Sequence, residues 1–80
     1  MITRHAKQRM QQRGFSEQHI KFIMQYGKKQ RIGSAIRFTF SRKRAVELNY
    51  LGVPRDFLEK CKGSFVVAKN NIVITIAHLY

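Results

Sequence analysis

Carboxylates are what this chain most lacks. Glu17, Glu47, Asp56 and Glu59 stand against sixteen lysines and arginines, for a formal charge of +12. The four are scattered over three predicted helices, so no spacing builds the acidic cluster of a two-metal nuclease. Cysteine is scarce as well. Cys61 stands alone and can form neither an internal disulfide nor a zinc site, which suits a reducing compartment and a cytoplasmic protein. His5, His19 and His78 lack close metal-ligand spacing, so no metal is expected. No glycine-rich phosphate loop occurs, and no cofactor is expected. No apolar run approaches the ~18 residues of a membrane span, and no apolar segment follows the basic start as in a secretory signal.

What is present is a core and a field. Eighty residues make a single domain, 1–80, and a 44% hydrophobic content is enough for that domain to fold. The excess of cations attracts polyanions. RNA, the ribosome, an acidic protein or an anionic membrane could answer it, but no helix combines a basic face with an apolar face wide enough for a membrane. Nucleic acid is therefore the first expectation.

The pattern predicts an α+β fold: two N-terminal helices packed on a small, mostly antiparallel sheet, with a helical insert between strands. Residues 3–14 read as a helix closed by Gly14. Ser16 caps a second helix, with Phe15 stapled onto Ile20 and Gly27 at its end; the two helices are expected to lie antiparallel. Residues 28–32 are basic and ambiguous. Gly33-Ser34 is a hairpin turn before the alternating strand Ile36, Phe38, Phe40, with Arg37 outward. Ser41 caps a third helix, Arg42 to Leu51, and Pro54 opens a fourth through Lys60. After Gly63, residues 65–68 and 72–77 form strands about an Asn70-Asn71 turn. The second, apolar on both parities, reads as a central strand covered on both faces, with His78 and Tyr80 leaving it on the side of Ile72, Ile74 and Ile76.

Four residues advance a helix by about 40°, so His5, Arg9 and Arg13 form one slowly turning row beside an inward row of Ala6 and Met10. The row offers an imidazole and two phosphate-binding forks; the plain alternative is a solvated basic helix. Metal-free RNA cleavage needs a base for the 2′-OH, an acid for the leaving oxygen and positive charge on the phosphorane. His5 is the leading proton carrier, weighed evenly against an exposed first-turn histidine. His78 and Tyr80 are further candidates, against a strand-end surface histidine and a frayed terminus. Arg4, Lys7 and Arg37 would add RNA contacts. His19 reads as surface and Cys61 as core.

The pattern Thr3-x-His5-Ala6-x-x-Arg9-Met10-x-x-Arg13-Gly14-Phe15-Ser16, followed by an apolar-periodic helix and later by Ile72-Val73-Ile74-Thr75-Ile76, resembles the DUF4258 family, grouped with RelE/ParE-type and BrnT-type toxins. The resemblance implies a RelE-like fold and a toxin–antitoxin setting in which an acidic antitoxin masks the basic cleft. By position it marks His5, Arg9 and Arg13, with Thr75 from the strand; a near-terminal tyrosine in RelE-type enzymes draws interest to Tyr80. The expectation is then a metal-independent endoribonuclease toxin acting on RNA, with or without the ribosome. The alternatives are a non-catalytic nucleic-acid-binding module and an inhibitor gripping an acidic protein.

Overall fold

The computed structural model describes residues 2–79. The elements follow in the order α1 (Arg4–Arg13), α2 (Glu17–Tyr26), β1 (Lys28–Ile32), β2 (Ala35–Phe40), α3 (Arg42–Tyr50), α4 (Arg55–Cys61), β3 (Ser64–Lys69) and β4 (Ile72–His78). The strands form one antiparallel meander in the order β1-β2-β3-β4.

Local chemistry accounts for most boundaries. Thr3 and Ser16 cap α1 and α2 through their side-chain oxygens, and Gly14 ends α1 at φ 71°, where a Cβ would be strained. Ser41 caps α3 in the same way. Asn70 and Asn71 both sit at positive φ, 52° and 64°, and carry the β3–β4 turn. Pro54 stands just outside α4, at its N-cap with ψ 136°, rather than inside its first turn. The ambiguous basic stretch is β1, an edge strand with all five residues exposed; Lys28, Lys29 and Arg31 guard that edge against pairing with another chain.

The core lies on one face of the sheet. Phe38 and Phe40 of β2, Val66 and Ala68 of β3, and Val73 and Ile76 of β4 meet Ile20 and Ile23 of α2, Ala45 and Leu48 of α3, Leu58 and Cys61 of α4, and Ala6 and Met10 of α1. Phe22 closes the layer edge-on to Phe40 at 5.5 Å and to Phe57 at 5.0 Å. Ser64, fully buried, is satisfied by donating to the Cys61 carbonyl.

α1 makes its main contacts along β4, while α2 contacts β2 and β3, so both N-terminal helices pack on the sheet, as expected. One expectation about packing is corrected. β4 is the outermost of the four strands, not a central one. Its free edge is covered by the N-terminal segment, where Ile2 bridges Val73 in parallel and the Thr3 N–H donates to the Val73 carbonyl at 3.0 Å. An irregularity between Val67 and Ala68 shifts the register: Val67 faces Thr75, whereas Ala68 faces Val73. The extra residue, Ile74, changes the parity, so both parities of β4 are apolar although only one face is packed by helices.

Candidate nucleic-acid interface

α1 is held by Ala6 and Met10, fully and almost fully buried, and gives its remaining faces to polar residues. Arg4, His5, Lys7 and Gln8 are exposed, and Arg9 and Arg13 are half-buried. His5, Gln8, Arg9 and Gln12 line one open depression of about 310 Å³. Their spacing of three and four residues puts all four on one side of the helix. No acidic residue stands on α1. Of the four carboxylates, Glu47 is paired with Arg44 at 3.3 Å and Glu59 with Lys62 at 2.8 Å. The Lys62 hydrogen bond, aided by the charges of Lys62 and Arg55, holds the Glu59 carboxyl below its usual range. The depression thus joins an imidazole, a guanidinium and two amides.

Arg13 departs from the row. It lies nearer the inward stripe, and its carbonyl accepts from Lys60 Nζ, which ties the end of α1 to α4. The same Lys60 sits over the Phe15 ring at 5.0 Å. Arg13 Nε is buried with no acceptor.

Arg37 and Thr75 come together on the sheet face turned away from the helices. Arg37 pairs with Val67, and Val67 with Thr75, so the three form a row across β2, β3 and β4. Two strand spacings separate Arg37 from Thr75, about 10 Å. The Arg37 guanidinium lies over Phe65 at 5.8 Å and donates to Gln30 Oε1 at 2.9 Å. Its Nε is also buried without an acceptor.

His78 is not in that company. It pairs with the buried Ser64, three residues beyond Thr75, and therefore points to the helix-packed face. Its ring meets Phe15 at 5.0 Å. Strand alternation puts Thr75 and His78 on opposite faces, and because of the extra residue at 74, His78 shares its face with Ile76 and Val73 rather than with Ile74. Tyr80 lies outside the described residues.

His19, read from sequence as surface, is structural. Its Nδ1 accepts the Ser16 N–H at 2.9 Å, while the Ser16 hydroxyl accepts the His19 N–H at 3.3 Å. The ring stacks on Phe57 at 4.7 Å and touches Phe15 edge-on. Desolvation, then the Lys60 charge, lowers its pKa from 6.5. The signal was present in sequence: a polar side chain three residues after a serine cap is a capping-box position, though usually Glu or Gln. Gln8 and Gln12, also missed, follow from extending the His5–Arg9 face by one helical turn. Cys61 is a packed thiol, pushed up to about 12 by burial, and is unreactive. Among the described residues, no three His, Cys, Asp or Glu side chains are grouped to hold a metal, and no helix is long and apolar enough to cross a membrane.

These features define a small basic α+β domain with a carboxylate-free cationic helix face. The chain belongs to the DUF4258 family, a domain of unknown function, which matches residues 2–78. No curated protein and no solved structure matches it.

Proposed function

We propose that this protein is an RNA-directed toxin of the RelE/ParE-like group, a metal-independent endoribonuclease whose working surface is the outer face of α1. The observation that carries the reading is the shared depression of His5, Gln8, Arg9 and Gln12, with no carboxylate on the helix. RNA laid there meets a proton acceptor beside a phosphate-binding fork. His5 takes the 2′-OH proton as that oxygen attacks phosphorus. The phosphorus–5′-oxygen bond breaks, and the leaving oxygen takes a proton from solvent, giving a 2′,3′-cyclic phosphate and a 5′-OH. Arg9 holds the charge that builds on the phosphorane, and Gln8 and Gln12 donate to neighbouring oxygens. Arg4 and Lys7 extend the cationic surface. An acidic antitoxin is the partner this charge calls for.

A second reading, a non-catalytic RNA-binding module, is favoured by one observation: among the described residues, His5 is joined in its depression by Gln8, Arg9 and Gln12, and no second proton carrier lines it. Incubating RNA with the purified protein in EDTA, with and without ribosomes, separates the two. The toxin reading expects cleavage with cyclic phosphate ends, reduced at least ~100-fold by His5→Ala, the usual weight of a general base. RNA that is bound but left intact in every condition selects the binding module.

A further inference from the structure

The two hairpin turns, Gly33-Ser34 and Asn70-Asn71, lie at one end of the sheet, opposite the end where α3 and α4 join β2 to β3. Just inside the turns, one row crosses all four strands on the helix-packed face. Arg31 pairs with Ile36, Ile36 with Ala68, and Ala68 with Val73. The helix layer covers this row incompletely: Ala68 and Val73 are buried, but Ile36 and the facing Met24 of α2 are half-buried and Arg31 is exposed. Above the small Ala68 side chain lies a hollow of about 300 Å³, with Ile36, Phe38 and Met24 as its other apolar lining. The exposed side of the same hollow is lined by Arg31, Ser34, Asn70 and Asn71. Glu17 reaches only the smaller neighbouring hollow, where Lys21 stands one helical turn away.

An apolar floor with a few convergent polar groups is the make-up of a small-molecule site. Among the described residues, none of those four polar side chains makes a hydrogen bond or ion pair, so their donors are available to a ligand. Arg31 is the one charged side chain in the lining, which calls for an anion of a single charge. Size narrows the choice further. The hollow holds roughly ten waters at ~30 Å³ each, less than one turn of a helix some ~10 Å across. An RNA backbone would meet Arg31 and leave the apolar floor bare. We propose that the hollow binds a small organic anion, a single flat apolar ring carrying one carboxylate. The ring lies against Ile36, Phe38 and Met24, and the carboxylate takes the Arg31 fork, with the asparagine amides and the Ser34 hydroxyl as further donors. The proposal goes beyond the RNA reading and uses none of the α1 residues.

The test titrates the protein separately with phenylacetate, phenylacetamide and acetate at constant ionic strength, following backbone amide shifts. Phenylacetate is expected to saturate in the millimolar range proper to so small a ligand, with shifts centred on Met24, Arg31, Ser34, Asn70 and Asn71. Phenylacetamide keeps the ring without the charge, and acetate keeps the charge without the ring. Each should bind at least ~5-fold more weakly. Arg31→Gln should bring phenylacetate down to the affinity of phenylacetamide, whereas Arg55→Gln should leave it unchanged. Both arginines are exposed, so both variants are expected to fold, which circular dichroism checks. Equal affinity for phenylacetate and acetate would report only attraction to the +12 field and overturns the proposal. So does the absence of saturation, equal affinity for phenylacetate and phenylacetamide, or insensitivity to Arg31→Gln. Displacement of phenylacetate by a short RNA also overturns it, by assigning the hollow to a nucleotide. None of these results touches RNA cleavage by α1.

Discussion

His19 gives the fold a dependence on pH. Its neutral ring accepts the Ser16 N–H at the start of α2 and stacks on Phe57. Protonation removes that acceptor and places a cation near Lys60 and the positive end of the helix. Because burial, and then Lys60, lowers the folded-state pKa below 6.5, the stabilisation is fully present above the unfolded value. It is lost as pH falls through the lower folded value. Thermal melts should therefore show a falling Tm between roughly pH 7 and pH 5, above the range in which carboxylates titrate. His19→Gln keeps a capping side chain that does not titrate and should flatten the slope in that window. An unchanged slope would place the titration elsewhere.

At the scale of elements, the junction of α2 with β1 leaves no room for a side chain. A Cβ on Gly27 would lie 2.5 Å from the Ile23 carbonyl oxygen and 3.1 Å from that of Thr39. The φ of −72° is ordinary, so the demand is for space and not for torsional freedom. Gly27→Ala should cost ~1–3 kcal/mol, the usual range for overpacking, read from the urea midpoint at unchanged m-value. Helices and turns of this kind were legible in sequence because their signals are local: Thr3, Ser16 and Ser41 as caps, Gly14 as a stop, Asn70-Asn71 as a turn. The position of β4 was not legible. Its all-apolar pattern has two sources that sequence cannot separate, a central position and an inserted residue that changes parity. The candidate site divides in the same way. His5 and Arg9 share a face by helical spacing alone, whereas which β4 side chains share the face of His78 depends on the residue inserted at 74.

The whole molecule is a two-layer domain that distributes its +12 charge over surfaces of different character. The outer face of α1 is polar and carboxylate-free, the free sheet face lays Arg37 over Phe65, and the α3–α4 face mixes cations with exposed apolar side chains. Polyanion attraction is general to such a field; what distinguishes a functional surface is where contact is made. The most direct measurement is an amide chemical-shift map of the protein titrated with a short 2′-O-methyl RNA, which binds but cannot supply an attacking hydroxyl. Perturbations are expected to concentrate on His5, Gln8, Arg9 and Gln12, with His78 and the α3–α4 face undisturbed. Shifts confined to α3–α4, or spread evenly over every basic surface, would contradict the assignment of α1 as the RNA-binding face.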